Sequence, residues 1–223
     1  MRRFVIIGQK ATASDDFLLD DLPGTSGRLD VLLRCLRAAL LFSNGLRRDV
    51  VVYLVLFGGP RAPRVLRADA AAAKFIRPDE RSLATLAKKV LASRADIGAS
   101  GFVEVKPGIS VARGGLERAI ADLGDATPYL LEEGGSDIRG AGKLGAHHSA
   151  FFIGDHLGLD PVSRAQITAI GAEPTSVGPL SLHADDVIAI VSNELDRRAA
   201  LHPYPTSDAG KAAGGRQGER RFT

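Results

Sequence analysis

The sequence predicts an α/β protein in which a mostly parallel β-sheet is flanked by helices. Short apolar runs of strand length alternate with longer stretches whose apolar residues recur at helical spacing. Residues 50–57 form an unbroken β-branched, aliphatic and aromatic run, which is typical of a central strand in a parallel sheet. No clear linker interrupts the chain before residue 201, so we expect one domain over residues 1–201.

The elements follow one another in a regular alternation. The predicted strands are residues 4–7, 50–57, 65–66, 107–111, 128–131, 150–153 and 175–177. The predicted helices are residues 29–43, 78–91, 116–123, 163–170 and 184–198. Two long segments, residues 10–27 and 132–148, are rich in polar residues or glycine and are predicted to be loops. Loops of this length in compact domains are often functional.

Capping and breaking residues justify the helix boundaries. In the first helix, leucines at positions 29, 32, 33, 36 and 40 share one face, and Asn44-Gly45 is a natural stop. Pro78 is followed by two acidic residues, which suits the first turn of a helix. The last helix is expected to bury Val187, Ile190, Val191 and Leu195.

The segment from 149 to 198 repeats one plan twice. A short apolar strand runs into small residues, first at Gly154-Asp155-His156 and again at Gly178-Pro179, and a helical pattern follows each time. Ligands in α/β proteins bind at the carboxyl ends of strands, where loops leave backbone groups free. The two turns are therefore predicted to form one site.

Composition limits the class of protein. Hydrophobic residues make up 45% and charged residues 25% of the 223 positions, as in an ordinary globular chain. No apolar run approaches the roughly 18 residues that span a bilayer, and the four-residue run near the N-terminus is too short for a signal peptide. We therefore expect a cytoplasmic protein. Cys35, the only cysteine, lies on an apolar helix face and is expected to be buried.

The net charge and the spacing of motifs argue against a globally basic nucleic-acid-binding protein, a zinc protein and the common nucleotide-binding motifs. The formal net charge is +3, of which the Pro-, Gly- and Ala-rich stretch at 202–223 carries +2, so that stretch is predicted to be a disordered basic tail. Any nucleic-acid contact must therefore come from local patches. Five histidines and one cysteine show no zinc spacing, so no metal is predicted. Neither a G-x-G-x-x-G nor a phosphate-loop pattern is present.

Four short motifs, occurring in a fixed order along the chain, are similar to the motifs of a known protein family. They are Asp-Leu-Pro-Gly-Thr-Ser-Gly-Arg-Leu-Asp at 21–30, Arg-Arg-Asp-Val at 47–50, Phe-Ile-Gly-Asp-His-Leu-Gly at 152–158 and Pro-Leu-Ser-Leu-His-Ala at 179–184. Pro-Asp-Glu-Arg at 78–81 and Pro-Gly-Ile at 107–109 also match. Together they resemble the archaeal tRNA pseudouridine N1-methyltransferases of the SPOUT superfamily, over nearly the whole body of the chain.

The resemblance implies a fold, a cofactor and an activity. The fold would be a SPOUT α/β domain with a deep trefoil knot at approximately 127–201, paired into a homodimer through that region. The cofactor would be S-adenosyl-L-methionine, and the reaction methylation of N1 of pseudouridine, at position 54 in the T-loop of tRNA. Two alternatives stay open: the same chemistry on small-subunit ribosomal RNA, and a knotted RNA-binding or assembly protein without catalysis.

The resemblance also assigns residues to the cofactor site. By the match, that site would be lined by Leu130, Gly154, Val177, Gly178, Pro179, Leu180, Ser181, Leu182 and Val187. Val187 stands where the family usually carries a cysteine. A sulfonium cofactor is reactive by itself, so the protein mainly has to bind and orient it.

Catalysis is assigned to Arg28, Asp30 and Asp155. The acceptor nitrogen must lose a proton, which a carboxylate could accept while an arginine stabilises the developing anion. Asp155 could instead cap a turn, and Arg28 and Asp30 could form an ordinary surface ion pair. His156 and His183 are expected to hold loops.

RNA binding is assigned to Arg28, Arg47, Arg48, Arg61 and Arg64. Arg47 and Arg48 could equally favour the dipole at a helix C-terminus, and Arg61 and Arg64, with Arg67, could be solvated charges on a sheet edge. Aromatic residues are only 5% of the chain and tryptophan is absent, so an aromatic base-stacking platform is not evident. Recognition of a folded RNA through its shape and phosphates is favoured.

Overall fold

A computed structural model describes residues 1–43, 45–95, 100–145 and 148–201. The strands are β1 (Arg2–Thr12), β2 (Leu41–Phe42), β3 (Gly45–Leu46), β4 (Val50–Gly58), β5 (Arg64–Asp69), β6 (Val103–Lys106), β7 (Ile109–Arg113), β8 (Thr127–Asp137), β9 (Ser149–Gly154) and β10 (Glu173–Ser176). The helices are α1 (Leu22–Thr25), α2 (Leu29–Leu40), α3 (Glu80–Ala92), α4 (Leu116–Ala121), α5 (Pro161–Ala169) and α6 (Ala184–Leu201). One 3₁₀ turn, Ile138–Gly140, follows β8.

Eight of these strands form one sheet in the order β10-β8-β9-β1-β4-β5-β7-β6. The pairings from β10 through β4 are parallel, and those from β4 through β6 are antiparallel. The α/β class and the mostly parallel sheet are thus confirmed. β4 is central, as its apolar run indicated, but only β1 pairs with it in parallel, since β5 runs back from a tight turn.

Helices cover both faces of the sheet, and the alternation along β1 shows why. Phe4 and Ile6 point into a core with α2, α3 and α6, whereas Val5 and Ile7 point into a second core with α4 and α5. Successive side chains of a strand face opposite sides, so a strand buried on both faces must be apolar throughout. Cys35 of α2 is fully buried in the first core, as expected, and burial raises the pKa of its thiol.

The two predicted loops contain regular structure. β1 continues to Thr12 and α1 occupies Leu22–Thr25, so the first loop is shorter than expected. β8 continues through the glycines to Asp137, where Gly135 approaches Thr175 so closely that a Cβ would lie 2.3 Å from its backbone nitrogen. In both cases pairing with a neighbouring strand, β4 or β10, overrides a polar or glycine-rich composition.

The final helix differs from its prediction in its buried face. Ile188, Val191 and Leu195 are buried, whereas Val187 and Ile190 are only half-buried. The predicted tail at 202–223 lies outside the described residues.

Candidate functional site

A cleft of about 980 Å³ lies at the carboxyl ends of β9 and β10, beside residues 130–134 in the middle of β8. The loops after β9 and β10 form two of its walls, and the first turns of α2 and α6 close it. Parallel strands present their carboxyl ends at one edge, so the topology brings four separate parts of the chain together. Of the nine residues assigned to the cofactor, eight line this cleft, and only Pro179 does not.

The loop after β9 is held by its own carboxylate. Asp155 Oδ2 accepts a hydrogen bond from the backbone N–H of Gln9 at 3.0 Å, and Oδ1 accepts one from Leu157 N–H at 2.9 Å. The Asp155 side chain has no exposed surface. These hydrogen bonds are those of a turn cap that shapes the loop, and Asp155 also lines the cleft.

Gly154 is required where it stands. A Cβ on this residue would lie 2.5 Å from the backbone carbonyl of Gly158, so any side chain would push the loop apart. The side-chain amide of Gln9 donates to the Gly158 carbonyl at 2.8 Å and ties the same loop to the end of β1.

The loop after β10 presents apolar groups to the cleft. Ser176 Oγ donates to the Gly178 carbonyl at 2.7 Å and accepts from the Gly178 N–H at 3.2 Å, which fixes the turn. A Cβ on Gly178 would meet no atom within 4 Å. Leu180 and Leu182 are 72% and 42% exposed. Large exposed apolar side chains beside open space are typical of a ligand-binding surface.

A carboxylate shared by two arginines lies beside these loops. Asp30, only 2% exposed, accepts hydrogen bonds from Arg28 through Nε (3.0 Å) and Nη2 (3.2 Å), and from Arg34 through Nη1 (3.0 Å). Burial acts to raise the pKa of Asp30, but the hydrogen bonds and charges of Arg28 and Arg34 outweigh it and hold the pKa below its usual range. Asp30 is therefore a weak proton acceptor and a strong anchor for both guanidinium groups.

Arg28 is held in a strained backbone conformation. Its φ is 68° and its ψ is 35°, in the left-handed region, and the preceding Gly27 also has a positive φ of 63°. A Cβ on Gly27 would lie 1.8 Å from the Lys10 carbonyl oxygen, so only glycine fits there. A non-glycine residue with positive φ costs about 1–3 kcal/mol, and such strain clusters at functional sites. This backbone conformation places the Arg28 side chain in the lining of the cleft, with 42% of the side chain exposed.

Arg34 was not among the predicted site residues, although it lines the cleft and shares Asp30 with Arg28. Its Nε also lies 4.0 Å from Asp185 Oδ2, at the start of α6. The available signal was the i,i+4 spacing from Asp30 to Arg34, which places both on one helix face.

The other arginines assigned to RNA are engaged within the fold. Arg47 Nη1 donates to both carboxylate oxygens of Asp196, to Oδ1 at 2.9 Å and to Oδ2 at 2.7 Å. Arg48 donates to the Ala70 and Ala73 carbonyls. Arg61 donates to the Leu91 and Ser93 carbonyls at the end of α3.

The assignment of Arg64 to RNA has to be corrected. Arg64 is 1% exposed, and it donates to the Ala13, Leu91 and Ser93 carbonyls. It satisfies carbonyl groups that the end of a helix leaves without partners. A guanidinium buried in this way cannot reach a phosphate.

Within residues 1–43, 45–95, 100–145 and 148–201, no group of three or more His, Cys, Asp or Glu residues is placed to hold a metal ion. Over the same ranges, no helix combines the length and the apolar character needed to cross a membrane.

Comparison with known proteins places the chain in a family. Residues 1–200 match the family described as "Putative SAM-dependent RNA methyltransferase". The tRNA (pseudouridine(54)-N(1))-methyltransferase of Methanosarcina acetivorans is 40% identical over 200 residues, which are 90% of this chain and 93% of the relative. The protein of the same name from Methanocaldococcus jannaschii is 34% identical over 203 residues, 89% of this chain and 98% of that one.

A solved structure shares the fold. Archaeoglobus fulgidus Nep1, determined with bound S-adenosylhomocysteine, aligns with a TM-score of 0.62 at 17% identity and covers 89% of this chain and 99% of its own. The sequence matches extend over nearly the whole length of both partners. The chain therefore belongs to the tRNA (pseudouridine(54)-N(1))-methyltransferase family.

Proposed function

We propose that this protein transfers the methyl group of S-adenosyl-L-methionine to N1 of pseudouridine at position 54 of tRNA. The observation that carries the proposal is the cleft, which joins the two glycine-containing loops to an exposed arginine on a strained backbone. Identity of 40% to named relatives over most of the chain supports the same reaction and the same RNA. Family membership favours tRNA over ribosomal RNA as the substrate.

The residues of the cleft suit the cofactor. A volume of about 980 Å³ lies at the upper end of the range for small-molecule sites. Leu180 and Leu182 offer exposed apolar surface for an adenine ring, and Leu130 lines the cleft as a nearly buried side chain. The open space beside Gly178 allows a ligand to reach its backbone. S-adenosyl-L-methionine supplies an activated methyl group on sulfur when it is bound. Val187, in the place of the usual cysteine, lines the cleft and supplies only apolar contact there.

The arginines supply the electrostatics of the reaction. N1 of the base must lose its proton as the methyl group arrives, and negative charge then develops on the ring and its carbonyl oxygens. Arg28 faces the cleft with an exposed guanidinium and can stabilise that charge, so we assign it the catalytic role. Asp30 is a positioning residue, because both its oxygens are bound to arginines and its pKa is lowered. The proton then passes to water.

The finer architecture is part of the proposal. We assign residues 1–201 to one SPOUT domain, with a trefoil knot at approximately 127–201 and a homodimer formed through that region. The shared fold with Nep1 and the β10-β8-β9-β1 strand order support this assignment. A tRNA substrate supports a cytoplasmic location. Light scattering, with a mass near twice 23.5 kDa expected, tests the homodimer.

Methyl transfer from labelled cofactor tests the chemistry. The acceptors are a tRNA transcript with pseudouridine at position 54 and the same transcript with uridine there. Incorporation into the first alone is expected, because uridine has a glycosidic bond at N1 and no proton to replace. Equal incorporation into both transcripts would overturn the assignment of the acceptor atom.

A further inference from the structure

Phe75 is an aromatic side chain held out in solvent. It is 96% exposed, and its backbone φ of 56° lies in the left-handed region. Positive φ in a bulky residue is a genuine outlier and is energetically unfavourable. An exposed phenylalanine on a strained backbone gains nothing for the fold from packing, so its position calls for a reason outside the isolated chain.

The loop that carries Phe75, residues 70–78, is fixed at its base. Arg48 Nη1 donates to the carbonyls of Ala70 (2.7 Å) and Ala73 (3.1 Å). The Ala73 N–H donates to the Asp69 carbonyl at 2.8 Å. Gly108 lies so close beneath that a Cβ would be 2.3 Å from the Ala73 nitrogen. Ala70 and Ala73 are fully buried. The tip is therefore presented by a rigid base, which lowers the entropic cost of binding.

The far end of the loop is fixed as well. Asp79 caps α3 by accepting from the Ser82 N–H at 2.8 Å, and Pro78 precedes it. The loop itself carries Lys74 and Arg77 and no acidic residue, and both of these basic side chains are exposed. Among the residues that the structure describes, neither is in an ion pair. Of the nearby acids, Asp69 pairs with Arg67 and accepts from the Ala71 N–H, Asp79 accepts from the Ser82 N–H, and Glu80 is exposed at the start of α3.

The position of the loop separates it from the cleft. The Ala70 N–H donates to the Val50 carbonyl, at the amino end of β4, whereas the cleft lies at the carboxyl ends of the parallel strands. The nine residues of β4 span about 30 Å at roughly 3.3 Å per residue. A ligand that contacts both places must be large, as a folded RNA is.

We propose that the tip of this loop is an RNA contact, in which Phe75 stacks on an unpaired base and Lys74 and Arg77 hold the adjoining phosphates. The proposal rests on the proposed function, since it takes a structured RNA as the substrate. An aromatic ring beside exposed cations suits single-stranded nucleic acid, because the cations attract phosphates and every base has a face that can stack on the ring. It also assigns Arg48 a role in recognition, as the residue that positions the loop.

Binding of Phe75→Ala to the pseudouridine-54 tRNA transcript tests the proposal. Stacking on one base is worth about 1–3 kcal/mol, so we expect the Kd to rise about tenfold. Phe75→Tyr is expected to keep the affinity of the native protein. Phe42→Ala serves as the matched control, since Phe42 is a half-exposed phenylalanine outside the loop at 70–78. A fully paired RNA duplex is expected to bind Phe75→Ala and the native protein equally, because it has no unpaired base.

Three results would overturn the proposal. The first is an unchanged tRNA affinity in Phe75→Ala. The second is an equal loss of affinity for tRNA and duplex. The third is a fall in mass of the Phe75→Ala protein by light scattering, which would make this surface a contact between two copies of the chain. Binding is measured without turnover, so failure of the native protein to methylate tRNA would count against the proposed function and leave the stacking test intact.

Discussion

Arg28 binds Asp30 through two parallel hydrogen bonds, Nε to Oδ1 at 3.0 Å and Nη2 to Oδ2 at 3.2 Å, from a left-handed backbone position. Asp30 also accepts a hydrogen bond from Arg34, so one buried carboxylate fixes two cations at the edge of the cleft. Fork-shaped pairs of this kind define direction as well as distance. The consequences of this pair for rate, stability and pH dependence can be measured separately.

Replacing Asp30 with asparagine removes the charge that orients both arginines. We expect cofactor affinity by calorimetry to be unchanged and single-turnover methylation to slow by roughly 100-fold, the scale of a misplaced reactive group. Asp20→Asn is the matched control, because Asp20 pairs with Arg81 on the surface with 87% of its side chain exposed. Full activity in Asp30→Asn would remove the residue from the mechanism.

Replacing Arg28 separates strain from function. Arg28→Gly is expected to be about 1 kcal/mol more stable than Arg28→Ala, because glycine alone adopts a φ of 68° without a steric penalty. Both variants lose the guanidinium, so both are expected to be nearly inactive. Urea unfolding and the methylation rate give the two readouts. Equal stability of the two variants would contradict the strained conformation.

Gly178→Ala probes the cofactor without disturbing the fold. The new methyl group meets no protein atom within 4 Å, so the unfolding midpoint should not change. We expect cofactor affinity to fall about tenfold, the effect of roughly 1–3 kcal/mol of overpacking. Gly142→Ala is the control, since its methyl group would also enter open space but away from the cleft. If both variants bind the cofactor like the native protein, the ligand does not approach Gly178.

Arg64→Ala is expected to act on stability and not on RNA binding. Its removal leaves the buried Ala13 carbonyl without this donor, whereas the Leu91 and Ser93 carbonyls keep Arg61, so we expect a cost of about 1–3 kcal/mol. Arg81→Ala, which breaks an exposed pair, should cost less than 1 kcal/mol. Measured well below the unfolding temperature, tRNA affinity of Arg64→Ala should equal that of the native protein. A large loss of affinity there would restore Arg64 as an RNA contact.

The lowered pKa of Asp30 predicts a dependence of stability on pH. In the unfolded chain this carboxyl has a pKa of about 3.9, and in the folded chain the two arginines hold it lower. Its contribution to stability is therefore complete above about pH 4 and is lost as the pH falls through the folded value. Urea unfolding between pH 6 and pH 3 should show a steeper acid loss for the native protein than for Asp30→Asn. If the stability of both proteins fell equally with pH, the lowered pKa of Asp30 would be contradicted.

Local patterns sufficed for the fold class and most of the cleft. Apolar runs predicted the central strands, and the glycines at 154 and 178 marked the loops that meet there. They did not reveal that β1 and β8 extend beyond their apolar portions, because pairing with neighbouring strands supplies the missing stability. Such pairing involves residues far apart in the sequence and has no local signal.

The arginines were the least predictable part of the site. Sequence alone does not distinguish a cation that binds carbonyl groups inside the fold, as Arg64 does, from one that faces solvent, as Arg28 does. The same difficulty applied to Phe75, whose exposure depends on a positive φ that aromatic residues rarely adopt. The role of each of these side chains depends on whether the folded structure buries or exposes it.

The most direct test of the account is the site of methylation within tRNA. Three transcripts that carry pseudouridine at position 54 only, at position 55 only or at neither are incubated with labelled S-adenosyl-L-methionine, alongside a small-subunit ribosomal RNA hairpin that contains pseudouridine. The account predicts one methyl group per tRNA, recovered as N1-methylpseudouridine by mass spectrometry, from the first transcript alone. Methylation of the ribosomal hairpin in preference to the tRNA, or of position 55, would contradict it.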